Sequence, residues 1–396
     1  MAGAAQQNVR REKRMIKLPP HPFKVTGVDE THPFVVNALR ERKHYELCWC
    51  GSGKKYKKCH RLRSQETPYK LGELQNLQKR IFWRKRGCMH PLATPETCSG
   101  QVIDSHTIQR KGPLERIVDE TGHVMHFETD LVNGGVNVSR IGWRKASIFP
   151  GYCARHDTSL FEPIEKELFT GEHWHCVLHA FRNICNELYR KRGLVESLEF
   201  QRACIDRGFD LDGQINTQIS YAQSIDGQNK SLEELDSLRA KFESAIVQGS
   251  FDVFESKCYF FQGNLDVVSS SIFQCEFDFE GEKLVDMWDL TLDAEMLSHS
   301  IVNTDAGGAI VFVWLKSEKH PSNVVASFDN LPDGDKGDIF VQYCFLNCEN
   351  TFFSEHWWNS LGQDQKSHIK RYANTFYYEG GEFTANQKRL VGWVFS

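Results

Sequence analysis

The stretch Cys48–His60 reads CWCGSGKKYKKCH and places three cysteines and one histidine in a single short segment. A Gly-Ser-Gly turn separates its two cysteine-containing ends, and its glycines let the backbone fold back on itself. Three thiolates and one imidazole are the ligand set of a closed tetrahedral zinc site. The spacing therefore predicts a structural zinc knuckle that leaves no coordination position open for catalysis, with the ligands Cys48, Cys50, Cys59 and His60.

A phosphate-binding P-loop is excluded in this stretch, although Gly53 is followed by a lysine. A P-loop requires a glycine five positions before Gly53, and Cys48 stands there. The run resembles instead the SEC-C motif, the zinc tail of the preprotein translocase motor ATPase, over residues 46–63. The resemblance implies a module that recruits a partner, without specifying which, in a chain of bacterial or phage origin.

A second group of metal-ligating residue types begins soon after the knuckle. Asp104 and His106 lie in the stretch IDSHTIQ, where alternate residues of a predicted strand place both side chains on one face. Asp157 follows directly after His156, at the start of a predicted helical segment. Candidate zinc ligands stand on both sides of Asp104 and His106: Cys88 and Cys98 come before them, and Cys153 and His156 come after them.

This second group is similar to the site of the HNH, or ββα-metal, endonucleases. Their pattern has a cysteine pair, a base histidine in a strand, and a second cysteine pair followed at once by a metal-binding residue on a helix. The resemblance implies that His106 is a general base, Asp104 a metal carboxylate and Asp157 the metal ligand on the helix. It also implies Mg²⁺ or Mn²⁺ as the catalytic cation, beside structural Zn²⁺, and DNA ahead of RNA as the substrate.

Several departures from the HNH pattern leave alternatives open. The first cysteine pair is separated by nine residues instead of two, so His90 is an alternative zinc ligand. The middle asparagine of the signature has no clear counterpart; Ser147 stands about where it belongs, and Asn137 is a more distant alternative. The segment between His106 and Cys153 is also long. The competing interpretation is a treble-clef zinc fold without chemistry.

Composition and charge bound the class of protein. The chain has 13 cysteines, no hydrophobic leader and no apolar run near the roughly 20 residues needed to span a bilayer. These features predict a cytoplasmic protein whose clustered cysteines bind metal instead of forming disulfides. The net charge of −4 hides an asymmetry, because residues 1–90 carry 21 Lys and Arg against 7 Asp and Glu. A basic end of this kind predicts contact with a polyanion such as nucleic acid.

The length of 396 residues predicts several domains in an α+β fold. We expect a small zinc knuckle, a central module of treble-clef or ββα-metal type, and a C-terminal domain of helices followed by strands. The predicted boundaries give a basic arm at 1–40, the knuckle at 41–66, the HNH-like module at 67–163 and the C-terminal sensor or binding domain at 164–396.

Periodicity predicts the main elements of the C-terminal half. A helix covers His173, His175 and His179, which we interpret as packing or surface residues, and ends at RKRG (190–193). Arg182 and Glu187 on this helix either contact a phosphate or pair on its surface. Ser231 is expected to cap a further helix. Strands are predicted at SIFQCEFDF (271–279), GAIVFVWL (308–315) and DIFVQYCFL (338–346).

Together these features predict a metal-dependent HNH-like endonuclease with an accessory domain. Such an architecture is typical of phage-defence effectors, by analogy alone. The alternative is a non-catalytic zinc adaptor that bridges nucleic acid or the ribosome to a protein partner. The trio Asp104, His106 and Asp157 discriminates between the two, because only a nuclease requires these side chains around an open cation position.

Overall fold

The computed structural model describes residues 31–129, 134–287, 289–376, 383–386 and 388–395. Most of the predicted basic arm 1–40 therefore lies outside the described residues. The helices are α1 Pro33–Leu39, α2 Leu71–Phe82, α3 Glu115–Ile117, α4 Ala154–Lys166, α5 His173–Arg202, α6 Leu211–Gln248, α7 Lys319–Asn330, α8 Asp333–Asn347, α9 Glu355–Ser360 and α10 Gln363–Asn374. The strands are β1 Val102–His106, β2 His123–Thr129, β3 Val136–Gly142, β4 Ile148–Cys153, β5 Phe254–Gln262, β6 Val267–Gln274, β7 Met296–Asn303, β8 Gly307–Leu315, β9 Thr351–Phe353 and β10 Val394–Phe395.

The strands form two antiparallel sheets of very different size. Strands β1 and β4 make a two-stranded sheet, and the larger sheet has the order β10-β5-β8-β7-β6-β9-β2-β3. Although β2 and β3 lie between β1 and β4 in the chain, they join the larger sheet through the pairing of Met125 with Phe353. The long segment between His106 and Cys153 thus leaves the small sheet and extends the large one. The domain boundaries stay a prediction.

The large sheet is covered on both faces, which accounts for its nearly continuous apolar strands. Along β8, Ile310 and Phe312 pack into a core with helices α7, α8 and α10. The intervening Val311 and Val313 pack into a second core with α5, α6 and the small sheet. Alternate residues of one strand therefore serve two cores, and the mixed α+β architecture expected from the sequence is confirmed.

The stretch DIFVQYCFL (338–346) is helix α8, so the strand predicted there is wrong. Every residue of this stretch is buried, and a fully buried apolar run has no periodicity that separates a helix from a strand. The start of the helix carries the deciding signals, because Pro332 precedes it and Asp333 and Asp335 lie in its first turn.

Helices α5 and α6 are both longer than the sequence predicted. The RKRG segment does not end α5, because Gly193 is an interior residue at which α2 approaches closely; a Cβ there would lie 2.9 Å from the carbonyl oxygen of Phe82. Ser231 caps no helix, since α6 begins instead at Asp210, whose carboxylate accepts from the amide of Gly213 at 2.8 Å. The two helices pack along each other as a hairpin.

No helix within the described residues combines the length and apolar character needed to cross a membrane. The buried face of α5 includes His175 and His179, which are 3 % and 6 % exposed. Trp357 and Trp358, in the aromatic stretch near the C-terminus, are buried in the core beside α8.

Candidate metal and catalytic sites

The four predicted knuckle ligands converge and are buried. Their ligand atoms all lie within 4.8 Å of one another. The Cys48 Sγ to His60 Nδ1 distance is 3.2 Å, and the Cys50 Sγ to Cys59 Sγ distance is 3.6 Å. A zinc tetrahedron with Zn–S bonds of about 2.3 Å has edges of about 3.8 Å, so these separations fit a zinc ion.

Backbone conformation explains how so short a segment closes around the ligands. Gly51 and Gly53 have φ angles of 75° and 68°, in the left-handed region that favours glycine. The amide of Cys48 donates to the carbonyl oxygen of Lys54 at 2.8 Å and closes the turn between them. The Gly-Ser-Gly segment is therefore a requirement of the site.

The second predicted ligand set also forms a cluster, at the base of the β1–β4 sheet. Cys153 ends β4, and His156 lies in the first turn of α4, where its Nδ1 is 3.4 Å from Cys88 Sγ and 3.6 Å from Cys98 Sγ. The ligand atoms of all four residues lie within 4.8 Å of one another. His90 stacks on the ring of His156 at 4.1 Å, and its Nδ1 accepts from the amide of Leu92 at 3.0 Å. The geometry favours Cys98, not His90, as the zinc ligand.

His106 and Asp157 lie on a strand and a helix that pack against each other. His106 is at the end of β1 that pairs with the start of β4, whereas α4 follows the other end of β4. His106 is the last residue of β1, and Asp157 is in the first turn of α4. His106 Nε2 and Asp157 Oδ1 are both buried, and neither has a hydrogen-bond partner among the described residues. Buried polar atoms of this kind normally have a partner. The Ser105 hydroxyl acts on the Asp157 carboxylate, so the His106 Nε2 atom is the clearer indication of a place for a ligand.

The same charged side chains act on both residues. Burial, with Arg110 and Arg182 nearby, lowers the pKa of His106 to about 4, and Glu165 opposes this shift. Burial raises the pKa of Asp157, against the effects of the Ser105 hydroxyl and of Arg182. His106 is therefore neutral at neutral pH, as a general base must be.

Arg182 on α5 is a buried cation whose charge acts on both His106 and Asp157. We call the region of these three residues and Glu165 the corner. Its side chain is 1 % exposed, and its guanidinium carbon lies 4.0 Å from the centre of the Phe161 ring. Its Nη2 donates to Glu165 Oε1 at 2.7 Å, whereas its Nε and Nη1 have no partner among the described residues.

The remaining predicted residues have different surroundings. Asp104 is exposed on β1, and its charge contributes to the raised pKa of Tyr189 on α5. Ser147 has a φ of 56°, and its hydroxyl oxygen accepts from the amide of Ile108 at 2.9 Å, so it fixes the chain beyond β1. Asn137 lies in β3, at the edge of the large sheet.

Comparison with known families places one part of the chain. Residues 46–62 match the SEC-C motif. The comparisons with curated proteins and with solved structures gave no match. The first Cys/His cluster is therefore a SEC-C knuckle, and the second rests on geometry alone.

The SEC-C knuckle is attached to the junction of α5 and α6 through a buried carboxylate. Asp206 is fully buried, and its Oδ2 lies 2.8 Å from His60 Nε2, the ring nitrogen that faces away from the cysteines. The same oxygen accepts from Gln218 Nε2 at 2.9 Å, and Oδ1 lies 3.1 Å from Arg63 Nε. A carboxylate in this position fixes the orientation of a metal-binding imidazole.

Further contacts seat the SEC-C knuckle on the helices. Trp49 packs against the His60 ring at 4.5 Å and belongs to a small core with Ile215 and Ile219 of α6. Arg202 Nη2 donates to the carbonyl oxygen of Cys50 at 2.9 Å. Sequence reasoning missed Asp206 and Glu165. Their partners, His60 and Arg182, lie in other segments of the chain, and no local sequence pattern indicates such a pairing.

Proposed function

We propose that the chain is a metal-dependent, HNH-like endonuclease that hydrolyses phosphodiester bonds of DNA or, second, of RNA. One observation carries the proposal: His106 and Asp157 lie on one strand-strand-helix unit whose base holds the Cys88, Cys98, Cys153 and His156 cluster, and the charges of Arg182 and Glu165 act on both. The HNH resemblance implies a role for both residues, and the buried His106 Nε2 has no partner among the residues that the structure describes.

The residues of this corner suit the chemistry of phosphodiester hydrolysis. The neutral imidazole of His106 can take a proton from the attacking water. Asp157 would hold the catalytic Mg²⁺ or Mn²⁺, whereas Asp104 is exposed in different surroundings and its role as a metal carboxylate stays a prediction. Such a cation, when bound, neutralises charge on the phosphate and the leaving oxygen.

The second zinc cluster would have a positioning role in this proposal. His156 is a ligand and Asp157 is its neighbour, so an ion held by the cluster fixes the first turn of α4 and the Asp157 carboxylate with it. Ser147 fixes the chain just beyond His106 from the other side. A role of the C-terminal domain as a sensor, and a part in phage defence, belong to the same proposal.

A plasmid-nicking assay in Mg²⁺ and in Mn²⁺ tests the proposal, with wild type compared with His106→Ala. Loss of a general base is expected to lower the rate by about 10²- to 10⁴-fold. His356→Ala removes an exposed histidine on α9 and is the matched control, with unchanged cleavage expected. Failure of the wild type to cleave DNA or RNA with either cation would contradict the proposal.

Such a failure would favour the alternative, a non-catalytic zinc adaptor. One observation supports it: large apolar residues are exposed around the SEC-C knuckle, among them Leu39 at 62 %, Leu47 at 65 % and Leu62 at 50 %. Exposed apolar residues that cluster are typical of a protein-binding surface.

A further inference from the structure

We infer that Arg182 is a binding residue for a phosphate of the nucleic-acid substrate, and that the Glu165 carboxylate occupies the place of that phosphate in the present structure. The inference rests on the proposed function for the identity of the ligand. Its geometry rests on a buried guanidinium whose pairing is incomplete.

Arg182 is buried far more completely than its pairing explains. A guanidinium offers five N–H donors, and burial of a charge is costly unless those donors are satisfied. Here a single N–H of Nη2 bonds to Glu165, and the Phe161 ring covers one face of the guanidinium. The Nε and Nη1 donors have no partner in the part of the chain that the structure describes, so a second acceptor belongs at this guanidinium.

The position of Arg182 relates it to the proposed chemistry. Its charge acts on both His106 and Asp157, although it lies on α5, outside the strand-strand-helix unit that carries those residues. A phosphate can accept two parallel N–H bonds from an arginine fork, whereas Glu165 accepts only one N–H bond from Arg182 here. An arginine beside a base and a metal ligand is suited to hold the phosphate that reacts.

The Glu165 side chain is positioned so that an incoming anion can displace it from Arg182. Its side chain is 37 % exposed, whereas that of Arg182 is 1 % exposed, so the carboxylate is the solvent-facing half of the pair. Glu165 lies in the last turn of α4, where the Gln109 side chain holds its backbone oxygen at 2.7 Å. The side chain can therefore turn to solvent while the helix stays in place. An incoming phosphate would exchange one anion for another at Arg182.

The test is binding of a fluorescein-labelled duplex oligonucleotide, measured by anisotropy without added Mg²⁺ or Mn²⁺ so that cleavage does not interfere. Arg182→Lys keeps the charge and removes the fork, and is expected to weaken binding about 10-fold. Glu165→Gln removes the competing carboxylate and is expected to tighten binding about 3- to 10-fold. In the double variant the gain from Glu165→Gln should disappear, because the two residues act on one site.

Two matched controls separate this site from general charge effects. Glu162→Gln removes a negative charge from an exposed residue of the same helix, and Arg239→Lys changes another partly buried arginine, which is paired with Glu243 at 2.6 Å. Both are expected to bind within about twofold of wild type, since charges apart from the site are screened by salt. Circular dichroism and the thermal midpoint check the fold of each variant.

The outcomes separate this inference from the proposed function. If the wild type cleaves through His106 but Glu165→Gln binds no more tightly than Glu162→Gln, the inference is overturned and the nuclease stands. If no cleavage occurs but both expected changes in binding appear, the anion site stands and the nuclease proposal fails.

Discussion

The carboxylate of Asp206 determines how firmly the SEC-C knuckle holds its ion, because it orients the ring of His60 from the far side. Asp206→Asn keeps the size of the side chain but replaces the charged acceptor. Loss of such an outer partner is expected to lower zinc affinity about 10- to 100-fold, measured by competition with a chromogenic chelator. Asp210→Asn is the control, since Asp210 is exposed and only caps α6. Equal zinc release by both variants would show that Asp206 does not support the site.

His179 makes the free energy of unfolding depend on pH in the acidic range. Burial, with the charges of Arg182 and His175, lowers its pKa to about 3, against an ordinary value of 6.5. Between these two pH values the unfolded chain binds a proton at this ring and the folded chain does not. The stability that the neutral ring provides is therefore complete above pH 6.5 and is lost progressively as the pH falls toward 3.

His179→Leu removes this titration from the stability curve. The free energy of unfolding of wild type should fall relative to the variant by about 1.4 kcal/mol per pH unit between pH 6 and pH 4. Urea unfolding at a series of pH values measures the difference. Parallel curves for the two proteins would mean that His179 becomes protonated in the folded state.

The contact between α2 and α5 depends on the glycine at position 193. Gly193→Ala improves helix propensity by about 1 kcal/mol, but the added Cβ would meet the Phe82 carbonyl at 2.9 Å. The clash should outweigh the gain and lower the free energy of unfolding by about 1–3 kcal/mol. Gly227→Ala in α6 is the matched control, because nothing lies within 4 Å of its Cβ position. There we expect stabilisation by about 0.5–1 kcal/mol. Stabilisation by both substitutions, read from urea midpoints, would rule out the close approach.

The elements that sequence predicted correctly carry their own signals. Helix α2 has a clear apolar period from Leu71 to Ile81, and β8 is an apolar run between turn residues. Helix α8 was mistaken for a strand because it is buried all round, so its pattern has no period. The continuation of α5 through Gly193 was missed because this glycine is required by the close approach of α2, and the local sequence of α5 carries no sign of that contact.

At the scale of the whole molecule, how well sequence predicted each site depended on how far apart its residues lie along the chain. The SEC-C ligands lie within Cys48–His60, so spacing alone identified them. The second ligand set runs from Cys88 to His156, 68 positions further along the chain, and required a family resemblance. Asp206, between α5 and α6, lies 146 residues from His60, and Arg182 of α5 pairs with Glu165 of α4. Only the packing of separate elements brings each pair together. Sequence therefore predicted the ligands and gave a phosphate contact as one alternative for Arg182, but it did not identify Asp206 or Glu165.

Helix α5 also connects the two ends of the molecule. Its first half carries Arg182 at the proposed catalytic corner, and its last residue, Arg202, holds the SEC-C knuckle. The proposed catalytic corner and the SEC-C knuckle therefore both contact α5, and the two Cys/His clusters have separate ligands. We expect two zinc ions per chain in the purified protein, measured by elemental analysis.

Single-cysteine variants assign those two ions and their roles. Cys50→Ser and Cys98→Ser should each retain one ion, because the ligands of the other cluster are untouched. Cys98→Ser releases the first turn of α4 and with it Asp157, so cleavage should be lost. Cys50→Ser frees only the knuckle, which contacts the opposite end of α5, so cleavage should persist. If Cys50→Ser abolished cleavage with one zinc still bound, the knuckle would be part of the catalytic unit, and the separation of roles along α5 would be wrong.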